Sequence, residues 1–173
     1  LATLPERELR AGCAEVLKYG ILGDMELFEH LKEKGTDFDR EYVISASVEM
    51  KSNYVCADEF DTGVRRMLNL GHTVGHAVEK LSGFSLSHGK SVAIGIATIA
   101  RAAAKAGECS GECAEEIVCA LKKLDLPTET ELGIDALMPV MLSDKKREGS
   151  MVNVIVPREI GRCEIVPMKE TEL

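Results

Sequence analysis

Polar residues recur at helical spacing in the middle of the chain, between Asp61 and Glu79. The steps between them are four, four, three, four and three residues, which on a helix turning about 100° per residue places them on one face. The remaining residues of the segment are mostly apolar, so the pattern predicts one continuous helix that is buried around most of its circumference. The polar residues of this central stripe are Asp61, Arg65, Asn69, His72, His76 and Glu79.

Buried charges and imidazoles on such a stripe need a partner, and a metal ion or an anionic ligand is a natural one. The alternative is a polar seam between core helices, which would be the simpler interpretation for a single histidine. Two carboxylates, a guanidinium, an amide and two imidazoles on one face favour the ligand. Gly71 and Gly75 lie beside the stripe, where they would let another backbone or a ligand approach closely.

Three candidate metal ligands, Glu15, His72 and His88, fall in three different predicted helices. One carboxylate and two imidazoles would leave an open position on zinc, as a catalytic site requires. Spacing does not select this set uniquely, because His72 and His76 form an equally acceptable pair on one helix face. From spacing alone, Glu15 and Lys18 are more simply a surface ion pair. His88 could equally be a polar helix start, although the positive helix end would keep its imidazole neutral and able to ligate.

Other polar residues carry weaker signals. Lys51 taken alone predicts a surface lysine, and His30 lies among charged neighbours, so we expect it on a solvated face. Cys109 and Cys113 are four residues apart, but no second pair follows at zinc-finger spacing, which argues against a structural zinc site.

Composition restricts the function further. A net charge of −8 over 173 residues argues against a nucleic-acid or anionic-membrane surface, so an anionic substrate would need a local basic cluster. No apolar run is long enough to span a membrane. Six scattered cysteines without a CxxC pair or a signal-peptide pattern indicate reduced thiols and a cytoplasmic protein. The length suits one domain, residues 1–173.

The elements that would position these residues are mainly helices, ending in a β-hairpin. Strands and helices do not alternate and no GxGxxG motif is present, so we expect no dinucleotide site in this chain. Besides the central helix, the predicted elements are helices Pro5–Leu22, Asp24–Lys34, Asp37 to about Ala57, Ser91 to about Lys105, Glu112–Lys123 and Asp135 to about Leu142, and strands Met151–Val156 and Arg162–Val166.

Three segments together resemble a known family. Residues 10–20 read RAGCAEVLKYG, residues 69–79 read NLGHTVGHAVE and residues 88–95 read HGKSVAIG. These motifs, with Leu126–Thr128 and Asp144–Lys146 in the same order, are similar to the C-terminal half of the 3-dehydroquinate synthases. The resemblance covers nearly the whole chain. It implies a multi-helix metal-binding domain with a short C-terminal hairpin, and an N-terminal NAD-binding α/β domain that is absent from this chain.

The resemblance also implies a reaction. These enzymes of the shikimate pathway, which leads to the aromatic amino acids, convert 3-deoxy-D-arabino-heptulosonate 7-phosphate into 3-dehydroquinate and phosphate. They are carbon–oxygen lyases that use bound NAD and a divalent metal, usually zinc, and we expect a homodimer. The C5 hydroxyl is oxidised, phosphate is eliminated, the ketone is reduced again, and the ring opens and closes by an aldol step. Without its NAD-binding half, this chain should bind metal and not turn over.

Each matched polar residue receives a role from the resemblance. Glu15, His72 and His88 would bind the metal, and a larger set would bind the sugar phosphate. That set is Lys18, Lys51, Arg65 and Asn69 at the hydroxyls and carboxylate, His76 near the departing phosphate, and either Lys145 or Lys146 in contact with that phosphate.

Asp61 departs from the family, which usually has Glu there, so its side chain is one methylene shorter and its role in orienting substrate or a metal ligand stays open. Three alternatives remain. A related sugar-phosphate cyclase would differ around Lys51 to Asn69, and a metal-dependent polyol dehydrogenase would lack the substrate lysines and Arg65. The third alternative is a helical metal-binding or scaffold module without catalysis.

Overall fold

The structure, a computed structural model, describes residues 3–143 and 151–169, with side chains for 3–143 and 152–168. The expected mainly α fold with a C-terminal hairpin is confirmed. The hairpin strands are antiparallel, with Val154 opposite Val166. The elements are α1 (Glu6–Leu22), α2 (Met25–Lys34), α3 (Arg40–Ala57), a 3-10 helix (Val64–Asn69), α4 (His72–Leu81), α5 (His88–Lys105), α6 (Gly111–Lys123), α7 (Ile134–Ser143), β1 (Met151–Glu159) and β2 (Arg162–Lys169).

Side-chain caps begin three of the described helices, α2, α3 and α6. The side chain of Asp24 accepts the Leu27 N–H at 2.9 Å at the start of α2, and Asp39 caps α3, which therefore begins later than the predicted Asp37. His30 is not a freely solvated residue as expected. It is half-buried, and its Nε2 accepts the Asp39 N–H at 3.3 Å. None of the described helices is both long and apolar enough to cross a bilayer.

The continuous central helix predicted from Asp61 to Glu79 is wrong. The chain forms a loop, then the 3-10 helix, and then breaks at Leu70 and Gly71 before α4 begins at His72. Gly71 adopts a left-handed backbone with φ 77°, and a Cβ there would lie 2.8 Å from the backbone nitrogen of Ile96. Close approach of α5 therefore demands glycine at the break.

Helix α5 is the centre of the fold, and its small residues let two neighbours touch its backbone. A Cβ on Gly95 would lie 1.9 Å from the carbonyl oxygen of Gly71, at the entry to α4. A Cβ on Gly89 would lie 1.9 Å from the carbonyl oxygen of Ala11 in α1. These two contacts hold α1, α4 and the N-terminal end of α5 together, which is where His88 lies.

The side chain of Asp58 shapes the loop that precedes the 3-10 helix. The Asp58 carboxylate accepts the backbone N–H groups of Thr62, Gly63 and Arg65, at 3.1, 2.7 and 3.1 Å. Within this loop Asp61 has a left-handed φ of 56°. Asp58 therefore winds the backbone so that Asp61 and Arg65 occupy fixed positions.

The packing of α5 predicts a large cost for Gly95→Ala, because the added methyl would collide with backbone that has no room to move. We expect a loss of about 3 kcal/mol or more in the free energy of unfolding, measured by urea denaturation. Gly12→Ala is the matched control, since its Cβ would meet nothing within 4 Å. That exposed helical position should gain about 0.5–1 kcal/mol. Equal effects at both glycines would contradict the packing argument.

The Asp58 contacts predict that Asp58→Ala makes the amides of Gly63 and Arg65 exchange with solvent about tenfold faster. Hydrogen bonds from Gly63, Thr62 and Arg65 lower the pKa of Asp58 below its ordinary value of 3.8. The unfolded chain therefore binds the proton first, so protection should be intact above about pH 4 and lost as the pH falls through the lower folded pKa. Hydrogen exchange measured by NMR at several pH values tests this, and unchanged protection in the variant would contradict it.

Candidate functional site

Glu15 from α1, His72 at the start of α4 and His88 at the start of α5 lie together. Their ligand atoms are all within 4.8 Å of one another, and within the described ranges no other group of three potential metal ligands meets this condition. Glu15 Oε1 lies 3.4 Å from His72 Nε2 and 3.6 Å from His88 Nε2. The triad therefore draws on three helices, which the α5 packing joins.

The two oxygens of Glu15 have different surroundings. Oε2 accepts a hydrogen bond from Lys18 Nζ at 2.6 Å. Oε1 is buried and has no hydrogen-bond partner, although it faces the two imidazoles. An unsatisfied buried carboxylate oxygen is costly, and a cation at this point would satisfy it. The donor set therefore fits a divalent metal such as zinc.

The orientation of the two imidazoles also favours a divalent metal at this point. His72 Nδ1 lies 3.1 Å from the carbonyl oxygen of Leu70, and His88 Nδ1 lies 3.3 Å from Glu79 Oε2. Both Nδ1 contacts are hydrogen bonds to oxygens that only accept, so they favour a proton on Nδ1, whereas neither Nε2 makes a hydrogen bond to Glu15 Oε1. The lone pair of each ring is then on Nε2, which points toward Glu15.

Burial and neighbouring charges act together on His72, Glu15 and Lys18. Burial, with the nearby Lys18 charge, lowers the pKa of His72 to about 4, so its ring is neutral at neutral pH and able to ligate. Burial alone would raise the pKa of Glu15, but the charge and hydrogen bond of Lys18 are the main influences that oppose it, and the pKa is lowered. Burial likewise lowers the pKa of Lys18, with Glu15 opposing.

The prediction of a surface ion pair between Glu15 and Lys18 is wrong. The Lys18 side chain is only 3% exposed and that of Glu15 is 31% exposed. The pair lies inside the fold, where its desolvation costs several kcal/mol and its mutual attraction must offset that cost. A buried pair at this cost is more typical of a functional site than of a surface helix.

A cavity of about 260 Å³ adjoins the triad. Three cations and two carboxylates line it, so it carries one positive charge in excess although the chain as a whole is acidic. Tyr19 and Leu68 were not predicted there. Tyr19 follows Lys18 in α1, and its ring centroid lies 5.4 Å from Lys18 Nζ. The lining residues are Glu15, Lys18, Tyr19, Lys51, Asp61, Arg65, Leu68, Asn69 and His72.

The structure therefore brings together Lys18, Lys51, Asp61, Arg65 and Asn69, despite the break in the central helix. Lys51 is exposed, as expected of it alone, yet it borders this cavity. The guanidinium of Arg65 is anchored, since its Nη1 donates to the carbonyl oxygen of Glu59 at 2.9 Å.

The remaining predicted residues lie at the edge of the site or beyond the described ranges. His76 does not line the cavity, but its ring centroid is 5.4 Å from that of His72 and 5.9 Å from that of His88. Lys145 and Lys146 lie outside the described residues. A larger hollow of about 820 Å³ is lined by α3 alone, between Glu41 and Asn53, and holds none of the predicted ligands.

The paired burial of Lys18 and Glu15 predicts a stability change that depends on metal. Lys18→Met leaves the Glu15 carboxylate unpaired, and we expect a metal-free chain less stable by about 2 kcal/mol, below the range for fully buried pairs because Glu15 is partly exposed. Zinc should remove most of this loss, because it supplies the missing positive charge. Urea unfolding with chelator and with zinc measures both.

Lys32→Met is the control, because Lys32 pairs with Glu29 and with Glu116 at a half-exposed position where its own side chain is 39% exposed and the carboxylates are 47% and 31% exposed. Its loss should stay below about 1 kcal/mol and not respond to zinc. A Lys18→Met loss that is the same with and without zinc would contradict the expectation.

Comparison with known proteins supports one family throughout. Residues 12–147 match the family model for the 3-dehydroquinate synthase C-terminal domain. The chain is 39% identical to the 3-dehydroquinate synthase of Acaryochloris marina, over 95% of this chain and 47% of that protein. It is 38% identical to that of Caldanaerobacter subterraneus subsp. tengcongensis, over 100% of this chain and 51% of that protein. The chain thus spans about half the length of the curated relatives it matches.

Solved structures share the fold. The 2-epi-5-epi-valiolone synthase of Streptomyces hygroscopicus subsp. jinggangensis, solved with NAD+ and Zn2+ bound, superposes with a TM-score of 0.87 at 26% identity, covering 99% of this chain and 50% of that one. A 2-deoxy-scyllo-inosose synthase complexed with carbaglucose-6-phosphate, NAD+ and Co2+ superposes with a TM-score of 0.83 at 19% identity, covering 99% and 52%, and supports the fold alone. The resemblance carried by the three sequence motifs is confirmed, and the chain belongs to the 3-dehydroquinate synthase C-terminal family.

Proposed function

We propose that this chain is the metal- and substrate-binding half of a 3-dehydroquinate synthase, which converts 3-deoxy-D-arabino-heptulosonate 7-phosphate into 3-dehydroquinate and phosphate. One observation carries the proposal. The buried, unpartnered Oε1 of Glu15 faces the Nε2 atoms of two imidazoles beside a cavity with excess positive charge. The names of the curated relatives support the same reaction.

Glu15, His72 and His88 would hold the divalent cation, zinc or another metal of similar preference. When bound, the cation supplies Lewis-acid chemistry, polarising a substrate hydroxyl and stabilising negative charge on its oxygen. His72 contributes a neutral ring, because its pKa of about 4 keeps the lone pair free at neutral pH. Glu15 contributes one charged oxygen, because Lys18 occupies the other.

The cationic side chains of the cavity suit a substrate with both a carboxylate and a phosphate. Arg65 can bind a carboxylate through parallel hydrogen bonds, and its contact with Glu59 restrains the guanidinium. Lys18 and Lys51 add charge around the same space, and Asn69 can donate to and accept from hydroxyls. Asp61, held at the cavity wall by its loop, would orient a substrate hydroxyl or a metal ligand.

The phosphate end of the substrate would lie toward His76. Its ring lies edge-on to that of His72 and tilted relative to that of His88, and it could hold or deliver a proton as the phosphate departs. We propose that Lys145 or Lys146, which lie outside the described residues, contacts the same phosphate. These two roles rest on the matched motifs.

Hydride transfer needs the nicotinamide cofactor, which we propose is bound by an N-terminal half of the longer protein. The chain spans about half of its curated relatives, and the similar valiolone synthase was solved with NAD+ bound. Residues 1–173 would then form one metal- and substrate-binding domain that does not turn over alone. The whole enzyme would be a phosphate-eliminating lyase.

We also propose a cellular location and an oligomeric state for the protein. The cysteines of the described residues are free thiols, which suits a reducing cytoplasm. We expect a homodimer of the longer protein, as the resemblance implies, and sedimentation analysis would test it.

A related sugar-phosphate cyclase is the second candidate, because Asp61 stands where the synthases usually carry Glu. Higher identity to the 3-dehydroquinate synthases than to the valiolone synthase favours the first candidate. A polyol dehydrogenase is disfavoured by Lys18, Lys51 and Arg65 around the cavity. A scaffold without catalysis offers no reason for this costly buried cluster.

Two measurements test the proposal. Metal analysis after dialysis should find about one zinc per wild-type chain and little in Glu15→Ala or His88→Ala, because each variant removes a ligand. Glu112→Ala, an exposed position on α6, is the control and should keep its zinc. Full metal content in both ligand variants would overturn the site.

Turnover of the longer protein that contains this chain decides the reaction. Phosphate release from the heptulosonate phosphate should require NAD and zinc, and Arg65→Lys should slow it about 100-fold by losing the bidentate carboxylate contact. A sugar phosphate without a carboxylate is the comparison substrate. Preference for that substrate would favour the second candidate and contradict the first.

A further inference from the structure

Glu79 contacts the site but has no role in the proposal above. It lies on α4, on the same face as His72 and His76, and its Oε2 is 3.3 Å from His88 Nδ1. The side chain is 22% exposed, whereas the ring it touches is 47% exposed. Glu79 is therefore the more buried of the two partners, and it approaches the ring from the side away from Glu15.

The protonation of the His88 ring follows from its neighbours. A carboxylate only accepts hydrogen bonds, so Nδ1 must carry the hydrogen, and in the neutral ring the lone pair is then on Nε2. That lone pair faces Glu15 Oε1, which is an unpartnered acceptor. The Nε2 lone pair of His72 faces the same oxygen. Three acceptors thus converge on one point, an arrangement that only a cation or a proton makes favourable.

The two rings differ in how they are held. His72 is 14% exposed, and its Nδ1 is fixed by the backbone carbonyl of Leu70 within the same turn. His88 is the first residue of α5 and is half exposed, so packing restrains it less. The rings of His72 and His76 lie beside it, with centroids 5.3 and 5.9 Å away, and Glu79 provides the hydrogen bond at its Nδ1.

The helices place Glu79 firmly enough to serve this purpose. A Cβ on Gly75 of α4 would lie 3.0 Å from the carbonyl oxygen of Ser91 in α5, so the two backbones are in contact one turn from each side chain. The Glu79 backbone is therefore fixed relative to His88. A carboxylate held at 3.3 Å from Nδ1 limits the rotation of the His88 ring.

We propose that Glu79 is a positioning residue that fixes the tautomer and ring orientation of His88 for metal binding. This inference rests on the proposed metal site at Glu15, His72 and His88. A hydrogen bond from a ligating imidazole to a carboxylate orients the ring and raises its basicity, and its loss typically weakens metal affinity about 10- to 100-fold.

The tautomer can be measured on the metal-free 173-residue chain. It holds four histidines, so long-range 1H–15N NMR spectra can be assigned by substitution. Wild-type His88 should carry its hydrogen on Nδ1. In Glu79→Ala the hydrogen should move largely to Nε2, whereas Glu79→Gln should keep it on Nδ1, because the amide oxygen still accepts. Glu112→Ala, exposed on α6, should change nothing.

Zinc affinity, measured by competition with a chromophoric chelator, gives the second result. Glu79→Ala should bind zinc about 10- to 100-fold more weakly, Glu79→Gln less than about 10-fold more weakly, and Glu112→Ala as wild type. Circular dichroism on each variant confirms folding. A positioning role predicts that Glu79→Ala changes the His88 tautomer and that Glu79→Gln restores it. A general loss of packing at position 79 would not change the tautomer.

The outcomes separate this inference from the proposed function. If wild type binds zinc, Glu15→Ala does not, and Glu79→Ala keeps both the Nδ1 tautomer and wild-type affinity within about twofold, the role of Glu79 is overturned and the metal site stands. If wild type fails to bind zinc, the metal site is overturned and the role of Glu79 with it.

Discussion

The carboxylate of Glu15 is the group on which the site depends. One oxygen is held by Lys18, and the other faces two imidazoles with no hydrogen-bond donor of its own. Burying such a cluster costs several kcal/mol, and hydrophobic packing of α1 against the core must sustain it. The residues around Glu15 on α1 are accordingly apolar or small, and Ala14 and Leu17 are fully buried. The core therefore supports the charge cluster and gains no stability from it.

Close packing of backbones brings the three candidate ligands together. Glu15 is in the middle of α1, whereas His72 and His88 each begin a helix. Only a short distance between helix axes can bring these positions within reach of one ion, and glycines at 89 and 95 permit it by letting carbonyl groups of α1 and of the α4 entry touch α5. A methyl group at either glycine would push apart the elements that carry the ligands. The small residues of α5 are thus a requirement of the site as much as of the core.

Local signals predicted the fold well, and non-local packing explains the errors. Caps such as Asp24 mark helix starts from the sequence alone, and the alternation after Met151 predicted the hairpin. The break at Gly71 was missed because the polar stripe stays in phase on both sides of it, so periodicity could not reveal it. The burial of Lys18 was missed because it depends on elements far along the chain. Tyr19 and Leu68 gave no signal of their own, and Glu79 gave one only through its place on the stripe.

The two oxygens of Glu15 have different partners, and this difference has a chemical consequence. Because Oε2 is engaged by Lys18, Glu15 can offer a cation only Oε1 without breaking the ion pair. The ammonium group of Lys18 then stays beside the cation site and at the cavity wall. If a cation binds there as proposed, a substrate oxygen approaching it from the cavity would also meet Lys18, and one carboxylate would couple metal binding to substrate binding. Burial that lowers the pKa of Lys18 strengthens this coupling, because it makes the ammonium depend on nearby negative charge. Under the proposed function, this arrangement would suit an oxygen that gains negative charge.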